Sequence, residues 1–350
     1  MPTLPAPNNR PKPPEPTTGG RTTGVSILGT GSYLPSRILT NAQMETLVET
    51  TDEWITSRTG IKERRIAAEG EHTSDIGAAA ARAALAHAGI TAGEVDLILV
   101  ATASPDMFFP ATACLIQKLI GANRAACMDI SAACSGFLYA VEMARHMIDG
   151  GAIKYALIIG AEKLSAMVDW TDRNTCVLFG DGAGATVLGR RPGDRVGRGV
   201  LSCLMASDGE FGNILGVPGG GTRCPITREN FDQKLNTIKM LGKETFKQAV
   251  NAMCSACVEV LDRTGLSIDD IACIIPHQAN FRIIDAIADR LKVGKDRFFL
   301  NLEKYGNTGA AAVAIALDEA NRAGRIQPGD KVLMVVFGSG LTWASMVVEW

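Results

Sequence analysis

The chain reads as an α/β protein made of two βα-rich halves, roughly 23–195 and 196–350, related by a pseudo-twofold axis. Two observations predict this. Short apolar runs alternate with amphipathic helical stretches, a pattern that gives a parallel sheet with helices on both faces. The second half also repeats the first. Leu261 to Ile271 matches Leu85 to Val95 without a gap, with Gly265 and Gly89 separated by 176 positions. Asn307-Thr-Gly309 before an Ala-rich stretch matches Cys134-Ser-Gly136, at a separation of 173. Near-constant spacing over several elements marks internal duplication.

Residues 1–22 hold seven prolines and few large apolar side chains, so this segment is expected to be a disordered tail. Gly24 to Leu28 is predicted as a strand ending at Gly29-Thr-Gly31. That glycine pair is a weak pattern, because Pro35 and Arg37 follow where a dinucleotide site needs a helix. Thr40-Asn41 and Thr51-Asp52 cap two short helices, the second bearing Trp54 and Arg58. Ser74 to Ala88 is an alanine-rich helix closed by Gly89. Val95 to Ala101 follows as a strand, Cys114 to Ile120 as a helix, and Tyr155 to Ile159 as a strand. Phe179 to Leu188 is a glycine-rich turn into a strand, where glycines serve close backbone packing more readily than phosphate binding. In the second half, Gly199-Val200 opens a strand ending at Ser207.

The chemistry concentrates at Met128 to Phe137. A short strand, Ala125 to Ile130, runs into a helix from Leu138 to Ile148, which puts Cys134 at a helix N-terminus. Unpaired backbone N–H groups there are expected to lower a thiol pKa. The duplication sets Asn307 at the equivalent position of the second half, and His277 follows the strand Ile271 to Ile275. All three residues lie at the carboxyl ends of strands, where open sheets bind ligands. A thiolate, an imidazole and a carboxamide suit acyl transfer followed by stabilisation of an enolate. Each alone also fits a plainer role: a buried cysteine, a structural histidine, a helix cap.

Ala-Ala-Cys134-Ser-Gly-Phe, Pro-His277-Gln-Ala-Asn280 and Gly-Asn307-Thr together resemble the thiolase-fold condensing enzymes. Within them the chain is most similar to β-ketoacyl-acyl carrier protein synthase III, over about residues 24–350. Thr51 to Ile61, Phe179 to Gly184 and the closing Phe337-Gly338 with Thr342-Trp343 belong to the same likeness. The resemblance implies a layered α-β-α-β-α sandwich and a homodimer with a continuous sheet, in which Phe108-Phe109-Pro110 closes the partner's acyl pocket. It implies Cys134 as the acylated nucleophile and His277 with Asn307 as the decarboxylation pair. Trp54, Arg58 and Arg173 would hold the adenine and phosphates of coenzyme A. Gly242, Phe246, Ala279 and Asn280 would line the pantetheine tunnel. Gly338 and its loop, with the Cys134 N–H, would form an oxyanion hole. Lys247 and Arg282 would meet the acyl carrier protein. Coenzyme A thioesters enter as substrates, a short acyl-CoA such as acetyl-CoA and a malonyl-carrier, and no tightly bound cofactor or metal is implied. Three positions depart from the family pattern: Lys243 for an asparagine, Gly309 for a serine, and Ser339 within a glycine triplet.

Composition fits that assignment. The chain is 46% hydrophobic and 21% charged with a formal net charge of −2, which argues against a nucleic-acid binder. Nine scattered cysteines read as reduced thiols of a cytoplasmic protein. No apolar run approaches the roughly 18–20 residues of a membrane span. Cys254-Ser-Ala-Cys257 falls within a helical stretch without a second pair, a poor metal or redox site. Two rivals remain: a relative that passes the acyl group to another acceptor, and a scaffold that keeps the fold without catalysis.

Overall fold

The computed structural model describes residues 24–190 and 198–350. The expected tail and the 195/196 boundary between halves lie outside the described residues. The first half forms a five-stranded sheet from β1 (Ser26–Tyr33), β2 (Leu97–Ala101), β3 (Ala126–Ile130), β4 (Ala156–Glu162) and β5 (Gly182–Gly189), in the order β1-β5-β4-β2-β3. The second half forms β6 (Gly199–Ser207), β7 (Cys273–Pro276), β8 (Lys331–Gly338) and β9 (Thr342–Glu349), in the order β7-β8-β9-β6.

The duplication is visible in the pairing. From β1 outward the first sheet pairs antiparallel, antiparallel, parallel, parallel. From β6 outward the second pairs antiparallel, antiparallel, parallel, and a parallel bridge from Ile274 to Phe298 stands where the fifth strand would be. Both sheets are therefore mixed, which corrects the purely parallel expectation. The strand that follows the glycine-rich turn runs back between β1 and β4, antiparallel to each.

Among the described residues there are seven helices of eight or more residues: α1 (Asp52–Thr59), α2 (Thr73–Ala88), α3 (Thr112–Ile120), α4 (Gly136–Asp149), α5 (Gly242–Thr264), α6 (Phe281–Leu291) and α7 (Ala312–Arg322). α2 packs on the outer face of the first sheet and α5 on that of the second, while α4 and α7 contact both sheets. The result is five layers, α-β-α-β-α, with the most enclosed apolar cluster in the middle. Phe137, Leu138 and Val141 of α4 and Val313 and Leu317 of α7 meet Leu99 and Val336 there. Burying such surface supplies the main drive to fold, about 25 cal/mol per Å² of apolar area.

β1 runs on through Gly29 and Gly31 to Tyr33, further than its apolar pattern suggested. The reason is helix packing. A Cβ at Gly29 would lie 2.4 Å from the Ala88 nitrogen, and one at Gly31 2.3 Å from that of Ala84. The glycines let the alanine-rich α2 lie against the strand.

The half-to-half offset is 176 at the helix ends and turns that lead to the site. α2 and α5 end at Gly89 and Gly265, both left-handed, and the capped 3₁₀ turns Ala92–Glu94 and Ile268–Asp270 follow. The turn before α4 (Ala133–Ser135) and the turn before α7 (Gly309–Ala311) also stand 176 positions apart. Asn307 is therefore not the strict counterpart of Cys134. At this offset it corresponds to Ser131, in the loop entering the turn, and the sequence match at 173 aligned a Ser-Gly with a Thr-Gly.

Candidate active site

Cys134 lies in the 3₁₀ turn between β3 and α4, and Ala133 before it has φ +44, a left-handed conformation that L side chains seldom adopt. The turn is pinned across the halves. Thr342 Oγ1 donates to the Ala132 carbonyl at 3.0 Å and Ser135 Oγ donates to the Thr342 carbonyl at 3.0 Å. Gly338 lies behind it, where a Cβ would be 2.8 Å from the Cys134 nitrogen. His277 follows β7 directly, its N–H donating to the Val335 carbonyl of β8 at 2.8 Å. Asn307 is fixed by a bridge to Phe179, with its N–H on the Leu178 carbonyl and its own carbonyl accepting from Gly180. The glycine-rich turn thus seats Asn307, the packing role expected of its glycines.

A cavity of about 1270 Å³ unites these elements. Cys134, His277, Asn307 and Glu162 line it together with the half-buried or exposed Trp54, Arg58, Gly242, Lys243, Phe246, Ala279, Asn280 and Arg282. Three expected site residues are not among its walls. Arg173 stacks over the Trp54 ring, 4.8 Å from the centroid, as does Arg58. Gly338 backs the cysteine turn while its neighbours Ser339 and Gly340 line the cavity. Lys247 is exposed on the second turn of α5.

Electrostatics separate the three central groups. Burial pushes the Cys134 thiol up to about 12, helped by the Glu162 carboxylate. The lowered thiol pKa expected from the helix end is thus not found, because desolvation by burial outweighs it. Burial alone takes His277 down to about 4, so its imidazole is neutral at pH 7. Its Nδ1 is buried without a partner. In the Nε2–H tautomer that leaves a lone pair unmatched, not a donor, and the N–H is free for a ligand. Asn307 Oδ1 accepts the Gly309 N–H at 2.9 Å, which reserves its amide N–H groups for the cavity.

Sequence reading missed Glu162, a fully buried carboxylate at the end of β4. The only signal was a single acid closing an apolar run. Ser339 turns its Oγ onto the Leu215 carbonyl and ties its loop to the strand segment Leu215–Gly216, which also lines the cavity. Lys243 stays exposed at the cavity rim.

This five-layer duplicated fold is that of the thiolase-fold condensing enzymes, a class of acyltransferases. Comparison with known proteins narrows this. Residues 128–209 match the family model for 3-oxoacyl-[acyl-carrier-protein] synthase III, and residues 261–350 match that for its C-terminal part. The chain is 53% identical over 326 residues to the β-ketoacyl-[acyl-carrier-protein] synthase III of Caldanaerobacter subterraneus subsp. tengcongensis, covering 93% of this chain and 98% of that protein. It is 51% identical over the same span to that of Roseiflexus castenholzii, again covering 93% and 98%. The crystal structure of 3-oxoacyl-[acyl-carrier-protein] synthase III from Aquifex aeolicus superposes with a TM-score of 0.86 at 46% identity, covering 93% of this chain and 100% of that one. The chain belongs to the β-ketoacyl-acyl carrier protein synthase III family, and its reaction is a condensation that initiates fatty acid synthesis.

Proposed function

We propose that the chain joins a short acyl-CoA starter, acetyl-CoA in the first instance, to malonyl-acyl carrier protein through an acyl-Cys134 intermediate. The observation that carries this is the meeting of Cys134, His277 and Asn307 on one cavity rimmed by Trp54, Arg58 and Arg282. In the first half-reaction the Cys134 sulfur attacks the starter thioester carbonyl. The tetrahedral oxyanion is met by backbone N–H groups of Cys134 and the 338–340 loop, and coenzyme A leaves with the thiol proton. In the second, the malonyl thioester carbonyl takes hydrogen bonds from His277 Nε2–H and the Asn307 amide. Loss of CO₂ leaves an enolate held by those donors. Its carbon then attacks the acyl-cysteine, and the sulfur departs.

Trp54 offers an indole face to adenine, and Arg58 and Arg173 offer guanidinium groups to phosphates. Gly242, Phe246, Ala279 and Asn280 suit a long thin pantetheine arm, and Lys247 and Arg282 an acidic carrier. No tightly bound cofactor takes part, and coenzyme A enters only as its thioesters. Two unpartnered surfaces support a homodimer. β3 is the sheet edge, with Ala126 and Met128 exposed, and Phe108 and Phe109 are 84% and 85% exposed. A cytoplasmic location is supported by nine free cysteines. No helix among the described residues is long and apolar enough to cross a membrane.

The deciding experiment is intact-protein mass after incubation with acetyl-CoA. A gain of one acetyl group that disappears in Cys134→Ala is expected. An unmodified cysteine across a series of short acyl-CoAs would remove the proposal.

A further inference from the structure

Glu162 is unused by the chemistry above, yet it is 0% exposed and lines the cavity between the two halves. Its carboxylate is a crowded acceptor. The Ala103 N–H reaches both oxygens at 3.1 Å, and Ser104 donates its N–H at 3.1 Å and its Oγ–H at 2.6 Å. Thr102 Oγ1 lies at 3.3 Å. One further donor comes from the other half: the Ala310 N–H, 3.2 Å from Oε1.

Ala310 sits in the 3₁₀ turn that carries the chain from Asn307 into α7. The preceding Gly309 is left-handed at φ +58, and a Cβ there would come 2.9 Å from Glu162 Oε1. Gly309 is also the residue whose N–H fixes the Asn307 carboxamide. Two residues back along β4, a Cβ on Gly160 would lie 2.4 Å from the Ala310 carbonyl. One face of β4 thus grips the turn at residues 160 and 162. Burial raises the Glu162 carboxyl to about 7, and the Ser104, Ala310 and Ala103 donors act in the opposite sense by favouring its ionised form.

We infer that Glu162 is a positioning residue for decarboxylation: through Ala310 and Gly309 it sets the direction of the Asn307 carboxamide, while Cys134, held by the Thr342 contacts, keeps its place without it. Gly309 is part of the same device, since a side chain there would push the carboxylate away from the turn. Of the donors on Glu162, Ala310 alone belongs to the turn that holds Asn307; the others, Thr102, Ala103 and Ser104, lie in the first half.

The inference rests on Asn307 serving decarboxylation, and the test separates the two claims. Two quantities are measured on each preparation: the fraction of Cys134 acetylated at completion, by intact mass, and the rate of CO₂ release from malonyl-acyl carrier protein. Their ratio is independent of the fraction of protein folded. Asn307→Ala is expected to lose CO₂ release and keep acetyl transfer. Glu162→Gln, which replaces an all-acceptor carboxylate with an amide, is expected to lower CO₂ release about tenfold to a hundredfold relative to acetyl transfer. Glu162→Asp, with the charge but a shorter reach, is expected to recover part of that ratio. An unchanged ratio in Glu162→Gln overturns the inference while leaving Asn307's role intact. Wild-type CO₂ release in Asn307→Ala overturns both.

Discussion

At the scale of single residues, opposite effects of burial on two groups set the pH behaviour. Cys134 rests as a thiol with its pKa near 12, so its alkylation by iodoacetamide is expected to keep rising through pH 9 without a plateau. A plateau below pH 8 would mean that the helix end, not burial, governs the sulfur. His277, near 4, remains a neutral donor across the physiological range. Removing that donor in His277→Ala should reduce CO₂ release about 10²–10³-fold while Cys134 is still acylated. The linkage has a definite sign. The folded pKa of His277 lies below its unfolded value of about 6.5. Above pH 6.5 neither state binds the proton. Between 6.5 and 4 only the unfolded chain does, so stability is lost as pH falls, by up to about 3 kcal/mol from this group. His277→Gln should flatten that part of a denaturation-against-pH curve, and an unchanged slope would refute the assignment. Residue types and order along the chain made these two groups legible in the sequence as site candidates. Their protonation was not legible, because it depends on desolvation by distant segments. Glu162 was hidden for the same reason: an acid ending an apolar strand becomes informative only once Ala310 of the other half lies against it.

At the scale of elements, local signals served well wherever capping and periodicity agreed. Thr51 caps α1 by accepting the Trp54 N–H at 3.0 Å, and Gly89 and Gly265 stop their helices as glycine C-caps do. Errors arose where a neighbour overrode the local pattern. β1 was ended too early because Gly29 and Gly31 look like a turn in isolation, whereas α2 needs their bare α-carbons. The antiparallel course of β5 was equally out of reach, since strand direction depends on which neighbours it enters between. The glycine argument is testable. Gly31→Ala would force a Cβ within 2.3 Å of helix backbone and should cost about 1–3 kcal/mol or more, read as a lower urea midpoint with an unchanged slope. Gly93→Ala, with nothing within 4 Å, is the control and should move the midpoint little. Equal effects in both would refute close packing as the reason for these glycines.

At the scale of the whole molecule, the described residues leave one sheet unfinished. β3 ends the first sheet with an unpaired edge and an outward Met128, and the Cys134 turn follows it directly. An exposed edge of this kind invites pairing with another strand, and a second copy of β3 related by a twofold axis supplies one. Phe108 and Phe109, almost fully exposed, project from the loop before α3, the helix whose first N–H groups are held by Asp129 of β3. The edge and the aromatic loop are therefore mechanically joined, and a partner docking on one fixes the other. Light scattering should return twice the 37.0 kDa chain mass for the wild type. Met128→Lys with Phe109→Ser should return the single-chain mass and lose condensation activity, because the Cys134 turn then follows a free edge. A wild type that scatters as a single chain at micromolar concentration, or a double variant that stays a fully active dimer, would show that this edge is closed in some other way.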